Sequence, residues 1–174
     1  GDELRGDIIT DPTGNIYISS VTSSVDFPAA GSFDLSYNGG ETDALLIHLT
    51  GDLTQVIWAA FLGGNAADAS HTIKIDATGN IFVAGGSSSA NFPTTPGVYQ
   101  PMHGGSVDGW IAKIKGDGSE TLASTYTGTS AFNQVYFLDL DNDENIYVYG
   151  QTAGSFPVTS GVYSNPNSGQ FFQK

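Results

Sequence analysis

Asp76-Ala-Thr-Gly-Asn-Ile-Phe-Val83 reads as a tight turn running into a strand, and close variants of it stand at two other places in the chain. Asp11-Pro-Thr-Gly-Asn-Ile-Tyr-Ile18 lies 65 residues before it and Asp141-Asn-Asp-Glu-Asn-Ile-Tyr-Val148 lies 65 residues after it. A Phe-Pro pair trails each copy, at Phe27-Pro28, Phe92-Pro93 and Phe156-Pro157, with lags of 65 and 64. A fixed period of this length marks a repeat architecture, in which each unit buries its faces against its neighbours.

The middle copy divides into four strands. His71 to Asp76 alternates apolar and polar residues, the pattern of a half-buried strand. Asp76 caps the amides of the turn, Gly79 takes positive φ, and Asn80 to Gly86 returns antiparallel. A Ser-, Pro- and Gly-rich connection from Ser87 to about Val107 leads to a third strand, Asp108 to Ile114. Gly116-Asp-Gly-Ser119 turns the chain into a fourth, Glu120 to Tyr126. The first copy matches, with Asp43 to Leu49 on the third strand and Gln55 to Leu62 on the fourth. Leu45-Leu-Ile47 does not alternate, as expected of a strand covered on both sides. Four antiparallel strands per repeat, each sheet packed between two others, predict an all-β chain of β-propeller blades. Residues 1–62 form the first expected blade, 63–127 the second and 128–174 an incomplete third.

The same residues resemble a known family. Asp-x-x-Gly-Asn-Ile-Tyr-Val, the Phe-Pro pair, Gly97-Val-Tyr99 with its counterpart Gly161-Val-Tyr163, Gly104-Gly105 and Asp108 look like the bacterial SBBP (seven-bladed β-propeller) repeat. The resemblance covers essentially the whole chain. It implies a large exported multi-module protein at or beyond the bacterial cell surface, and no particular reaction. The third copy departs from the pattern: Glu144 stands where the turn has glycine, and Gly169-Gln-Phe-Phe172 lacks the Asp before its strand.

The chain's 174 residues hold about 2.7 periods, whereas a closed propeller needs roughly four or more blades. Residues 1–5 align with 66–70, so the chain opens at a blade's first strand and closes inside a third, near Phe171 or Phe172. Those ends do not complement one another. The expectation is a portion of a larger propeller, partnered by other blades of a parent chain or by another protein, and prone to associate when isolated.

Five Lys plus Arg against eighteen Asp plus Glu give a net charge of −13, which repels nucleic acid and anionic membranes. There is no cysteine, hence no disulfide scaffold or thiolate metal site. No apolar run reaches the length of a membrane span. Gly1 to Arg5 is not a signal peptide, so the signal of an exported parent would lie elsewhere.

Two groups of side chains stand out. Phe27, Tyr37, Phe92, Tyr99, Phe156 and Tyr163 sit on the long loops 22–42, 87–107 and 152–168, expected on one face of the propeller. Aromatics framed by Pro and Gly can stack on sugars or grip a peptide. The alternative is that they fold each loop back as a small satellite core, and their repetition at every blade favours that alternative. Asp139, Asp141 and Asp143 have the alternate spacing of a calcium loop, with Glu144 beside them. Glu144 occupies the glycine position and Gly150 the position of the bidentate acid, so the pattern admits at most a weak Ca2+ site. His48, His71 and His103 lie in no paired metal spacing, and His103 and Asp108 flank Gly104-Gly105 where they can meet. No nucleophile, acid–base pair or phosphate cradle emerges, and Asp68, Asp139 and Asp141 are the carboxylates that a channel-mouth enzyme would use. The sequence therefore points first to a non-catalytic binding or structural module, extracellular or at the cell surface. A carbohydrate-binding propeller comes second, and part of a propeller enzyme acting on polysaccharide or peptide third.

Overall fold

The repeated turns close as their residues dictate. In the computed structural model Asp76 Oδ1 accepts hydrogen bonds from the backbone N–H of Thr78 (2.9 Å) and Asn80 (2.8 Å). Asp11 and Asp141 hold Asn15 and Asn145 in the same way, each at 2.9 Å. The fourth turn residue is left-handed in all three copies: Gly14 at φ +89°, Gly79 at +86° and Glu144 at +61°. For a residue with a Cβ that conformation costs about 1–2 kcal/mol. The exposed Glu144–Lys113 contact of 3.9 Å offsets little of it. Glu144→Gly is therefore expected to stabilise the fold by about 1 kcal/mol, raising Tm by about 3 °C in a thermal melt.

The structure describes residues 6–165 and 168–174, so the expected alignment of residues 1–5 with 66–70 lies outside it. The described residues contain strands, turns and loops but no helix. The strands are β1 (Asp7–Thr10), β2 (Ile16–Thr22), β3 (Asp43–Leu49), β4 (Val56–Leu62), β5 (Asp68–Ile75) and β6 (Ile81–Ser87). They continue with β7 (Asp108–Ile114), β8 (Thr121–Thr127), β9 (Asn133–Leu140), β10 (Ile146–Thr152) and β11 (Gln170–Gln173). They form three antiparallel sheets, each a single stretch of chain with its strands in sequence order: β1-β2-β3-β4, β5-β6-β7-β8 and β9-β10-β11. None closes on itself. β5 starts three residues before the strand expected from alternation at His71, because a bulge at His71 interrupts the pattern.

The sheets are stacked face on face. One core lies between the first and second, built from Tyr17, Leu46, Trp58 and Leu62 against Ile73, Val83, Trp110 and Ile114. A second lies between the second and third, where Phe82 and Ala84 meet Val135, Leu138, Val148 and Phe171. The leading strands stitch neighbouring sheets together: Asp7 Oδ2 accepts from Ile73 N at 3.1 Å, and Ser70 Oγ donates to Ser20 O at 2.6 Å. His71 Nδ1 lies 2.8 Å from Val135 O. Two trailing edges are covered by the long loops, which blunts them against strand addition. Ala30 bridges Ala59 on β4, and Thr95 N donates to Ser124 O on β8 at 3.0 Å.

Candidate functional sites

The loop aromatics divide into two sets. Phe92 is only 3% exposed and belongs to the first core, with its ring centroid 4.9 Å from Trp110. Its backbone N–H donates to Tyr126 Oη at 3.0 Å, and that hydroxyl donates to Ser89 O, so one buried phenol pins the start of the loop. Burial is the main cause that pushes the Tyr126 hydroxyl up to about 12. Phe156 stacks on Phe171 at 4.0 Å, and Tyr37 meets Phe61 edge-on at 5.9 Å. Phe27 is half-buried. Tyr99 and Tyr163 instead stand in solvent, 67% and 93% exposed. The structure thus does not bring the six together as one platform: the phenylalanines and Tyr37 turn inward, and two tyrosines turn outward.

The acids of the third turn do not converge either. Asp141 accepts from the Asn145 side chain (2.8 Å) and from Tyr147 Oη (2.9 Å). The Asn145 side-chain amide, against a smaller opposing effect of burial, holds the Asp141 carboxyl down at about 2. Asp139 lies 3.9 Å from Lys74, and Glu144 the same distance from Lys113. Asp143 donates its own backbone N–H to Asp141 Oδ1 (3.0 Å). Among the described residues no group of three His, Asp or Glu side chains is placed to hold a metal ion.

A different acidic pair is brought together where the first sheet meets the second. Asp43 opens β3 and Asp68 opens β5, and both are buried, at 0% and 1% exposure. Asp43 Oδ1 and Asp68 Oδ2 both lie under 3.0 Å from the point where a Cβ on Gly63 would stand, so glycine alone fits between them. Asp43 Oδ2 accepts from Asn38 N (2.6 Å), and Asp68 Oδ2 from Gly64 N and Ser89 Oγ (2.7 Å each). The remaining oxygen of each, Oδ1, has no hydrogen-bond partner. Burial chiefly pushes Asp43 up to about 6, with the Asn38 hydrogen bond opposing and the Asp68 charge adding to the rise. Burial likewise raises Asp68, against the nearby Ser87 hydroxyl and the hydrogen bonds from Gly64 and Ser89. One period later the same seam holds Asp108, Gly128 and Asn133, so the second carboxylate is replaced by an amide. His103 lies near Asp108 but bonds elsewhere, with Nε2 3.1 Å from Ser87 O. Sequence reasoning marked Asp68 for a different site. The repeat offset of Asp43 with Asp108, and of Asp68 with Asn133, was the signal for this one.

The outer faces of the stack form a further surface. Ile8, Ile18, Ile47 and Ala59 are opposite one another across β1 to β4 and form an aliphatic row on the far side of the first sheet, open at Ile8 (62% exposed) and buried at Ala59. The equivalent row of the second sheet, Ile73, Val83, Ala112 and Ser124, is buried beneath the first sheet. On the third sheet Phe137, Tyr149 and Phe172 make a row on the outside, with Phe137 60% and Phe172 68% exposed. Its equivalent in the second sheet, Thr72, Ala84, Ile111 and Thr125, is the side that the third sheet covers. A cleft of about 360 Å³ beside this aromatic row is lined by Tyr136, Tyr149, Gly150, Gln151, Gly169 and Gln170.

In comparisons with known proteins, no family model matches the chain and none of the curated proteins does.

Proposed function

We propose that this chain is a non-catalytic structural module whose three sheets are successive blades of a β-propeller, and that its two outer faces seat further blades of the same repeat. One observation carries the proposal. Each outer face is the register equivalent of a face that, one sheet along, is buried under a neighbouring sheet of the same kind. The occupant that fits is another four-stranded sheet offering an aromatic row to the aliphatic side or an aliphatic row to the aromatic side.

The chemistry of the sites agrees with this reading. The loop aromatics mostly serve packing, and the buried Asp43–Asp68 pair is sealed from any substrate. The absence of cysteine, the acidic surface and the resemblance to SBBP repeats support a setting outside the cell.

Because the two outer faces differ, self-association of the chain would run head to tail and grow with concentration. Light scattering coupled to size exclusion is expected to show a mass that rises with loading. Phe137→Glu or Ile8→Glu, each on an exposed position, is expected to return the protein to monomer at least 10-fold higher concentration without altering its β-sheet circular dichroism. A wild-type chain that stays monomeric at all loadings would sink the proposal.

A further inference from the structure

The seam between the first and second sheets holds two buried carboxylates with no ion-pair partner among the described residues. Asp68 N donates to Thr42 O at 2.8 Å, as Asn133 N does to Val107 O at 2.8 Å one period later, so the two seams share one backbone design. They differ in charge: Asp43 faces Asp68 across Gly63, whereas Asp108 faces Asn133 across Gly128. The other ionisable groups that interact with the pair are Asp34 and Tyr37 of loop 22–42 and Tyr126 of β8, with Glu41 acting on Tyr37 and Asp108 on Tyr126. Among the described residues no lysine, arginine or histidine forms an ion pair with either carboxylate. Two buried charges of one sign are not left uncompensated; a proton or a cation must reduce them. The hydrogen bonds from Asn38, Gly64 and Ser89 crowd one oxygen of each carboxylate, and among the described residues no third His, Asp or Glu is placed with them as a metal ligand. The compensating group that this geometry accommodates is the smaller one.

We propose that Asp43 and Asp68 form a proton-linked latch: one proton taken from solvent by the two carboxylates, bringing their joint charge from −2 to −1, fastens the start of β3 to the start of β5. Its release leaves two like charges across Gly63 and loosens the seam that loop 22–42 and the Gly63-Gly64 step close. A carboxyl whose folded pKa lies above its unfolded value stabilises the fold while protonated. That contribution is full below the unfolded value of 3.8 and is lost as pH rises through the folded value of about 6. The latch is thus engaged in mildly acidic surroundings and slack above them.

The test compares the stability of the intact chain with that of Asp68→Asn, which copies the second seam into the first, by urea denaturation from about pH 4.5 to about pH 7.5. The two proteins share every other acid, so general charge effects cancel in the difference. The variant is expected to gain on the wild type as pH rises to about 6 and then to hold a constant lead, the slope corresponding to about one proton. Parallel curves overturn the proposal. Carbon NMR of the wild-type carboxyls needs no variant and decides the matter if Asp68→Asn fails to fold. One carboxyl of the pair is expected to titrate well above the ordinary Asp range, and two ordinary titrations overturn the latch. Calcium chloride is the remaining probe: if it stabilises the wild type above pH 7 while the variant does not respond, a cation rather than a proton compensates the pair and the proposal fails.

Discussion

Trp58→Ala is expected to cost about 3–5 kcal/mol and to lower Tm by about 10 °C, measured by urea and thermal denaturation. Trp58 is 1% exposed on β4 and reaches across to the second sheet, where its indole Nε1 donates to Gly116 O at 3.1 Å. Its ring seats on the turn between β7 and β8. A Cβ on Gly118, already at φ +72°, would come 2.7 Å from Trp58 Cδ2, so only glycine leaves the ring its place. Behind the indole stand Tyr17 at 6.2 Å and His48 at 5.7 Å, with Tyr17 and His48 stacked at 3.9 Å. Removing Trp58 therefore opens a cavity between two sheets and orphans a carbonyl at once. Trp58→Phe separates the two effects: it keeps most of the ring, and its cost should fall to about 1–2 kcal/mol, chiefly the lost hydrogen bond. If alanine costs less than phenylalanine is expected to, the indole is not what joins the sheets.

The second large effect is expected at Gly85. In the second sheet Gly85 lies directly opposite Trp110, and the Trp110 indole crosses over it to donate to Ala69 O at 3.2 Å. A Cβ on Gly85 would fall onto that same Ala69 carbonyl oxygen. Gly85→Ala must push the Ala69–Ser70 backbone away, which breaks the β5–β6 ladder and the carbonyl seat of the Trp110 indole. Overpacking of this kind costs about 3 kcal/mol. The third sheet repeats the approach, since a Cβ on Gly150 would fall first onto the Gln134 carbonyl oxygen. The double variant Gly85→Ala/Trp110→Leu should accordingly recover none of the stability lost by Gly85→Ala alone, because the clash is with the backbone. Recovery would mean that the ring and not the backbone carries the clash.

The period of 65 residues and the alternation within it made the strands legible. β3 and β7 fall at their expected residues, and β8 and β11 within one. What turn chemistry and apolar patterning could not reveal was the direction of individual loop side chains. Phe92 and Tyr99 look alike in sequence, yet one fills the core and the other stands in solvent, because Tyr126 draws the start of the loop inward whereas Thr95 and Gln100 hold its middle along the β8 edge. The Asp139, Asp141 and Asp143 spacing looked like a ligand loop, but turn hydrogen bonds had already claimed Asp141. The pairing of Asp43 with Asp68 escaped notice because they are 25 residues apart and become neighbours only when one sheet lies on the next.

That each sheet is one uninterrupted stretch of chain, touching chiefly the sheets before and after it, fixes how the molecule comes apart. Its free energy is a string of local terms joined by nearest-neighbour couplings, with no single keystone. The middle sheet is held from both sides and each outer sheet from one, so opening starts at an end and moves inward. The three-stranded end, with the least ladder to lose, frays first. Damage to β9, β10 or β11 leaves the first seven-tenths of the chain in register, whereas damage in the middle severs the string into two pieces too short to stand alone.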